Sequence, residues 1–481
     1  MNHAKLLSRE ETRALQQRLL SRRQFLGQAS CAAVTAIPVL NTILNLKLAG
    51  SVAAAEPGPG EYRALVCVFL NGGNDSFNML VPRGNTEYAE YAAIRQDLAL
   101  AQNDLLPINP LAYSGPQLGV HPGMPELQQL FEDGHAAFVA NVGTLVEPVT
   151  KAHYQNGSVP LPLGLFSHSD QIEQWQTSLP DTRSAVGWAG RMADLLKSIN
   201  TNEKVSMNIS LSGSNVWQSG QSVFEYAITP NGAVGLQGYA AQWQQWQDVI
   251  QARSAGIDSQ LGLHYQNLFA QTFAKSKRDA FDAYEVFAAA TAPDLPPGAT
   301  FPSTNLAQSL RMIARTIAGR GALGMTRQTF FVNFGGWDHH DEVINNQAAM
   351  LPVVSQAVGA FYNALELLGV ENQVTLFTAS DFGRTLTSNG RGSDHAWGGN
   401  QFVIGGGVNG RRIFGLYPSL HENNPLDVGR GRLIPTLSAD EYFAELALWL
   451  GVSKTSLPLV LPNIDRFHDT TSADWPVGFL A

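Results

Sequence analysis

Carboxylates follow three long apolar runs of the sequence at the point where each run ends. Asp75 follows Ala64–Leu70, Asp338 follows Thr329–Phe334, and Asp381 follows Val374–Thr378. Ligands of α/β proteins gather at the carboxyl ends of the strands, so these three side chains are expected at one edge of a sheet. Carboxylate oxygens placed there are hard donors of the kind that divalent metal ions prefer.

Histidines near two of these positions add nitrogen donors. His340 lies two residues after Asp338, and His395 directly follows Asp394. His339 and His340 point in opposite directions if the chain is extended, so one of them is expected to be structural. The sequence predicts a site for a divalent ion (Zn, Ca, Mg or Mn), and the candidate ligands are Asp75, Asp338, Asp381, His395 and one of the two histidines His339 and His340. The alternative is that the carboxylates cap turns and helices and that each imidazole makes a hydrogen bond within a loop.

A polar segment at a predicted helix start supplies a candidate nucleophile. Ser167 or Ser169 lies near the N-cap, where the helix dipole and a neighbouring metal ion would favour attack by a serine on phosphorus or sulfur. Arg384 is a candidate clamp for an oxyanion. The alternatives are that the serine only caps the helix and that Arg384 forms an ion pair with Asp381.

The elements that would position these residues have the pattern of an α/β fold. Further apolar runs, typical of strands buried on both faces, are Ala136–Val142, Val205–Leu211 and Phe402–Ile404. Helical patterns alternate with the runs, at Leu306–Ile317, Ala348–Leu368 and Ala439–Leu450. The alternation predicts a largely parallel central sheet with helices on both faces. Residues 237–290 are predicted to form a helical cap or insertion on a single domain that covers residues 56–481.

The first 55 residues resemble a twin-arginine export signal. Arg22 and Arg23 precede Phe25-Leu26, a modest Ala-rich apolar stretch, and a small-residue cleavage site at Ala53–Ala55. This predicts a protein that is exported folded by the twin-arginine translocase to the periplasm or beyond, with no membrane span in the mature chain. Removal of residues 1–55 also removes Cys31, which leaves Cys67 without a partner for a disulfide.

The composition and net charge limit the kinds of molecule that the protein is expected to bind. The 481 residues are 44% hydrophobic and 15% charged, with a net charge of −9. The segment 1–55 carries seven basic and two acidic residues, so its removal leaves a net charge of −14. Nucleic acid is therefore not an expected partner. A small-molecule or polysaccharide ester is compatible with the predicted metal chemistry.

Taken together, these motifs resemble the domain-of-unknown-function-1501 family over about residues 63–451. The motifs are Gly72–Asp75 with Asn78, Ser167–Asp170, Gly187–Arg191, Gly336–His340, Ser380–Thr385 and Asp394–Gly399. That family is similar to the alkaline-phosphatase-like superfamily of phosphatases and sulfatases. The resemblance implies that fold, with two divalent metals beside a Ser or Thr nucleophile.

The resemblance implies one or two divalent ions and a specific set of site residues. The implied metal ligands are Asp75, Asp338, His340, Asp381 and His395, and the implied catalytic residues are Ser167, His168 and Arg384. Asp75 matches the ligand after the first strand, and Ser167 falls near the nucleophile position, with Ser76 as a second candidate. Asp338 with His340 resembles an Asp-x-His motif, Asp381 matches the Asp of an Asp-His pair, and His395 matches a late histidine. Phe382 departs from the pattern, because a histidine ligand usually occupies that position.

Three functions remain open from the sequence. The first is an exported, metal-dependent hydrolase of phosphate or sulfate esters. The second is an exported binding or assembly protein that has the fold but not the chemistry, which Phe382 favours. The third is a redox protein, which the single Cys67 and the lack of a Gly-x-Gly-x-x-Gly motif after the first strand disfavour.

Overall fold

The computed structural model describes residues 61–240 and 244–480. The predicted export signal lies outside these residues. The strands are β1 (Arg63–Asn71), β2 (Leu80–Pro82), β3 (Leu106–Ile108), β4 (Leu118–Val120), β5 (Ala136–Gly143), β6 (Asn208–Ser210), β7 (Tyr226–Ala227), β8 (Arg327–Gly335), β9 (Val374–Ser380), β10 (Gly399–Ile404), β11 (Ile413–Phe414) and β12 (Leu437–Ser438). The α-helices are α1 (Asn85–Arg95), α2 (Pro125–Glu132), α3 (Lys151–Asn156), α4 (His168–Thr177), α5 (Trp188–Leu196), α6 (Gln247–Leu261), α7 (Leu268–Thr291), α8 (Asn305–Ala318), α9 (Val343–Leu368), α10 (Ala439–Leu450) and α11 (Leu457–Val460).

The central sheet has nine strands in the order β11-β5-β10-β9-β1-β8-β6-β7, with β12 paired to β5. All of its pairings are parallel except those of β10, which runs antiparallel to β5 and to β9. Helices cover both faces of this sheet. The predicted α/β class with a largely parallel sheet is therefore confirmed. A separate three-stranded sheet has the order β2-β4-β3.

The three central strands, β1, β8 and β9, bring together the segments that follow them. β1 lies between β9 and β8, and Leu70 is in register with Ser380 while Asn71 is in register with Gly335. All seven interior residues of β1 are buried, which is why its sequence is apolar without alternation. Because the three strands are parallel and end level, the segments that follow them emerge at the same edge.

Two elements differ in extent from their sequence patterns. The run Val205–Leu211 forms only the short strand β6, because the chain turns directly after it, where Ser210 Oγ donates to the carbonyl of Gly213 over 2.5 Å. Helix α9 begins at Val343, five residues before the predicted start. Its first turns contain Gln347, which is buried and donates to the backbone carbonyl of Asp75 over 2.8 Å. A polar residue that faces the interior interrupts the apolar period that predicts a helix.

Helix α9 is the one helix of the described residues that is long and apolar enough, by length and composition, to cross a membrane. Half of its most apolar 18-residue window is buried inside the protein, and the helix packs on α8 and α2. This is the setting of a core helix in a large α/β protein.

The predicted helical region 237–290 contains α6 and α7. Their surface is unusually apolar, and Phe269 and Leu268 are 85% and 75% exposed. The side chains of the candidate site described below lie on other elements. Whether α6 and α7 act as a cap therefore stays a prediction.

One buried carboxyl predicts a pH-dependent stability. Asp440, in the first turn of α10, is buried, and loss of hydration raises its pKa from 3.8 to about 7, since Ser178 and Arg191 oppose that shift only partly. Between pH 4 and pH 7 the unfolded chain releases this proton and the folded chain retains it. The folded state therefore loses stability as the pH rises through that range, by on the order of a few kcal/mol.

The substitution Asp440→Asn should abolish this pH-dependent loss of stability. The free energy of unfolding of the variant should therefore exceed that of the wild type most at pH 8 and least at pH 4. Urea unfolding at a series of pH values measures the effect. Asp97→Asn, at an exposed position, serves as the control and should leave the pH dependence unchanged. An equal effect of Asp440→Asn at every pH would contradict the assignment.

Candidate metal centre

Four side chains from three segments converge at the carboxyl edge of the sheet. Asp338 and His340 follow β8, His395 precedes β10, and His168 is the first residue of α4. One ligand atom from each of these residues lies within 4.8 Å of every other. We refer to these four residues as the metal cluster.

One carboxylate oxygen lies close to all three histidine nitrogens. Asp338 Oδ1 lies 3.1 Å from His340 Nε2, 3.3 Å from His168 Nε2 and 3.5 Å from His395 Nε2. His340 Nε2 and His395 Nε2 are 2.8 Å apart. In a tetrahedral zinc site with bonds of about 2.0–2.1 Å, the ligand atoms are roughly 3.3 Å apart. The four side chains are thus spaced as ligands of one ion are.

The other nitrogen of each imidazole has a hydrogen-bond acceptor. His168 Nδ1 lies 2.7 Å from Asp381 Oδ2, and His340 Nδ1 lies 3.0 Å from Asp394 Oδ1. His395 Nδ1 lies 2.7 Å from the carbonyl oxygen of Phe166. Carboxylates and carbonyls accept hydrogen bonds, so these partners place the proton of each neutral ring on Nδ1. In that tautomer each Nε2 is the nitrogen left to ligate an ion, as in metal sites whose outer residues orient the ligands.

This arrangement is rich in acceptors, and Arg384 Nη2 donates to one of them, Asp338 Oδ1. His168 Nε2 is enclosed and has no hydrogen-bond partner among the described residues. A single proton between His340 and His395 would satisfy two of the three imidazole nitrogens, whereas a divalent cation would satisfy all three. Three borderline nitrogens and one carboxylate oxygen are a donor set that suits Zn²⁺ and other first-row divalent ions. The residues present therefore fit the group that the sequence predicts.

The pKa values of the cluster histidines and of Asp394 are shifted in different directions. The hydrogen bond to Asp381 raises the pKa of His168, whereas burial lowers the pKa of His395. Burial raises the pKa of Asp394, but hydrogen bonds from Asn389, His340 and Arg430 outweigh burial and lower that pKa to about 2. Asp394 therefore remains an acceptor for the His340 Nδ1 proton at ordinary pH.

Asp381 lies beside the cluster and orients one of its members. Its side chain is fully buried, and Oδ1 accepts a hydrogen bond of 2.9 Å from the backbone N–H of Gly72. Both oxygens are thus engaged, one by this amide and the other by His168. The sequence placed Asp381 among the ligands and His168 among the catalytic residues, but the structure places His168 in the cluster and Asp381 behind it.

Asp75 lies apart from the cluster. Its Oδ2 is 2.5 Å from Nη2 of Arg95 and accepts a hydrogen bond of 3.2 Å from Ser393 Oγ. Both members of this ion pair are fully buried. The carboxylate was predicted as a metal ligand because it follows β1. In the structure it forms an ion pair with Arg95, the last residue of α1. We therefore leave Asp75 out of the ligand set proposed below.

Arg384 also differs from its predicted role. Its guanidinium is completely buried and donates to the carbonyls of Gly73 (2.8 Å) and Ser393 (3.0 Å), to that of Gly72, and to Asp338 Oδ1. Asp338, rather than Asp381, is its ionic partner. Because its donors are occupied by the protein, Arg384 holds the loops and Asp338 in place instead of presenting a free clamp for an anion.

Ser167 is the N-cap residue of α4, as the sequence predicts, but its side chain makes no capping hydrogen bond. Its Oγ lies 3.2 Å from Ser169 Oγ. A hydrogen bond from the Ser167 side chain also lowers the pKa of Asp170, and among the described residues no imidazole forms the hydrogen bond that would activate Ser167 as a nucleophile. Its backbone position nevertheless determines where the next residue, His168, begins the helix.

Phe382 supplies an apolar wall where the superfamily pattern has an imidazole. Its ring centre lies 4.8 Å from that of His168 and 4.7 Å from that of His395, and the side chain is buried. A Cβ on Gly73 would lie 2.5 Å from this ring, so only glycine fits beneath it. Similarly, a Cβ on Gly72 would lie 2.5 Å from the backbone nitrogen of Asp338. The two glycines after β1 thus let the loops after β8 and β9 approach closely.

The cluster is open to solvent on one side. The side chains of Asp338 and His340 are 47% and 44% exposed, whereas those of His168 and His395 are 29% and 24% exposed. His339, the neighbour of His340, is buried and lies outside the cluster. The sequence missed the outer residues Asp394 and Phe166, although the adjacent Asp394-His395 pair was visible as a motif.

Solved structures with detectable likeness to the chain come from several kinds of protein. One is Ps i-CgsB in complex with k-i-k-neocarrahexaose, with 10% identity, 85% of this chain and 77% of that chain covered, and a TM-score of 0.32. Another is the soluble domain of lipooligosaccharide phosphoethanolamine transferase A from Neisseria meningitidis, with 10% identity, 85% and 95% covered, and a TM-score of 0.31. A variant of the alkaline phosphatase PafA has 11% identity, 68% and 64% covered, and a TM-score of 0.25. TM-scores this low do not establish a shared fold, so the fold class rests on the sheet topology described above.

No curated protein matches the chain. The sequence model of one family, described as "Protein of unknown function (DUF1501)", matches residues 62–430. This match covers more than half of the chain and includes all four residues of the metal cluster. The protein therefore belongs to the DUF1501 family.

Proposed function

We propose that this protein is an exported hydrolase of phosphate or sulfate esters that uses one divalent metal ion held by the metal cluster. The observation that carries the proposal is the convergence of three imidazole Nε2 atoms on one carboxylate oxygen, Asp338 Oδ1. A divalent ion held there would supply Lewis acidity, which polarises an ester oxygen and lowers the pKa of a water molecule. Export by the twin-arginine translocase and a periplasmic or secreted location remain part of the proposal.

The protein's own residues would prepare this centre. Asp381, Asp394 and the carbonyl of Phe166 hold the three imidazoles with Nε2 inward. Phe382 shields the ring faces of His168 and His395 from water on the buried side. The exposed side, at Asp338 and His340, is where an ester would enter. We assign the nucleophile to a water molecule rather than to Ser167, whose hydroxyl pairs with Ser169.

Metal analysis together with a hydrolysis assay tests this function. The full-length protein, purified without chelator, should contain about one divalent ion per chain, since its donors form one four-ligand set. It should hydrolyse aryl phosphates or aryl sulfates, and it should lose that activity on dialysis against a chelator and regain it with metal. Protein that folds normally but takes up no divalent ion would overturn the proposal.

A second candidate function is an exported binding protein without turnover. It is favoured by Phe382, which packs where an imidazole ligand would stand, and by Asp75, whose charge is used by Arg95. Both features reduce the site to one ion and remove a second electrophilic centre. Stoichiometric metal without hydrolysis of either class of aryl ester would support this function over the first.

A further inference from the structure

Beside the proposed metal ion, a positive side chain would bind the remaining negative oxygens of the ester, but Arg384 is already occupied. Its Nε, Nη1 and Nη2 all donate to carbonyls or to Asp338, and none of its surface is exposed. Moving it toward a ligand would leave those buried acceptors without donors, which is costly. Any positive group that binds an anion at this centre must therefore come from another residue.

Three other arginines lie next to residues of the centre. Arg391 pairs with Asp341 over 3.2 Å, and Arg430 pairs with Asp394 over 2.6 Å. Arg432 differs from both, because its Nε donates to the backbone carbonyl of His395 over 3.0 Å. Within residues 61–240 and 244–480, no carbonyl or carboxylate accepts from its two terminal amino groups. Arg432 thus combines proximity to a cluster residue with a free guanidinium edge.

Arg432 is also fixed in place. Its guanidinium carbon lies 4.8 Å above the centre of the Phe166 ring, and the carbonyl of Phe166 is the acceptor for His395 Nδ1. The three residues therefore form a closed set of contacts around one imidazole of the cluster. Stacking on an aromatic ring holds a guanidinium plane without using its terminal donors.

The turn that carries Arg432 is itself constrained. The N–H of Val428 donates to the carbonyl of Arg432 over 3.0 Å, and the N–H of Arg432 donates to the carbonyl of Gly429 over 3.2 Å. A Cβ on Gly431 would lie 2.4 Å from Cβ of Leu386, so the turn packs tightly on the loop that follows β9. Little conformational entropy remains to be lost when Arg432 binds a ligand.

We propose that Arg432 is the residue that recognises the tetrahedral oxyanion of the substrate, through the two terminal amino groups of its guanidinium. Planar, paired N–H donors match two oxygens of a phosphate or sulfate group. This inference rests on the proposed function, since it places the anion beside the metal cluster. It makes Arg432 a specificity-determining residue that contacts the ester group, while Arg384 only supports the site.

Titration of the metal-loaded full-length protein with inorganic phosphate, and separately with inorganic sulfate, tests the inference. Arg432→Gln should weaken binding of the preferred anion by at least about tenfold, the loss expected of one charge-assisted contact. Metal content should remain that of the wild type. Arg432→Lys, which keeps the charge but not the paired geometry, should recover part of the affinity. Arg391→Gln changes an exposed arginine that pairs with Asp341. It is the control and should bind the anion as tightly as the wild type does.

Each outcome decides between the two proposals. Equal anion affinity in the wild type and Arg432→Gln would overturn the assignment and leave the metal centre intact. Loss of metal in Arg432→Gln would show that the residue only positions His395, which also overturns the anion-binding role. Wild-type protein that takes up metal but binds neither anion would contradict this inference alone, whereas wild-type protein that takes up no metal would contradict the proposed function. The more tightly bound anion would indicate whether the ester is a phosphate or a sulfate.

Discussion

His340→Ala is expected to lower the affinity of the protein for divalent metal by more than about 100-fold, since loss of an outer-shell partner alone costs 10–100-fold and this change removes a ligand. The side chain is 44% exposed, so its truncation should leave the fold intact. Competition with a chromophoric chelator measures the affinity, and metal analysis of the purified variant measures the stoichiometry.

The neighbouring Asp341 offers a matched control. Its carboxylate pairs with the exposed Arg391 and accepts a hydrogen bond from the backbone N–H of Glu342, so Asp341→Asn changes the charge of the same loop without touching the cluster. It should retain the metal of the wild type. If His340→Ala kept the wild-type affinity while folded, His340 would not be a ligand and the proposed set would fail.

Asp381→Asn gives an intermediate expectation in the same series. It leaves the four ligand side chains in place but replaces one of two accepting oxygens by a donor, so either His168 or the N–H of Gly72 loses its acceptor. The affinity for metal should fall by about 10–100-fold, the range found for partners that orient a ligand. A loss as large as that of His340→Ala would instead indicate that Asp381 itself contacts the ion.

Asp75→Asn is expected to reduce the free energy of unfolding by about 3–5 kcal/mol, the cost of breaking a buried ion pair and leaving one charge without its counter-ion. Both Asp75 and Arg95 are fully buried, and Nη1 of Arg95 also donates to the carbonyl of Thr385 over 3.0 Å. Urea unfolding of the purified variant measures the loss. Its metal content per folded chain should equal that of the wild type.

The double variant Asp75→Asn/Arg95→Met separates charge from packing. Removal of both charges should recover part of the stability lost in Asp75→Asn, because no uncompensated charge then remains in the interior. Strictly additive losses would mean that the two side chains are not coupled. An Asp75→Asn protein of wild-type stability that has lost its metal would restore Asp75 to the ligand set.

Sequence pattern predicted the frame of this protein well, and the reason is the burial of β1, β8 and β9. A strand covered on both faces needs an unbroken apolar run, and such runs end abruptly where the chain leaves the sheet. The polar residues after those runs could therefore be located without coordinates. Helix α10 was predicted with the bounds that the structure has.

Local pattern failed where a polar side chain faces inward. Gln347 concealed the first turns of α9, and Asp75 was predicted to reach a metal because nothing in its neighbourhood reveals Arg95, twenty residues later. Likewise, His168 was predicted as a catalytic residue but lies in the metal cluster, and Asp381 was predicted as a ligand but orients His168. Which of two groups in hydrogen-bond contact faces the cluster depends on side-chain direction, and sequence spacing carries no information about direction between separate elements.

The sequence by itself determined the α/β class, the edge of the sheet at which polar chemistry collects, and the residue types available there. Only the tertiary structure decided that three histidines and Asp338 lie together and that Asp381 supports a ligand. It also decided that Arg384 donates to backbone carbonyls and to Asp338, whereas the terminal amino groups of Arg432 have no acceptor among the described residues. The physical reason is the separation along the chain of the residues that each property involves. Apolar periodicity is a property of neighbouring residues, whereas ligand geometry depends on distances between atoms that lie 50 to more than 200 residues apart in the chain.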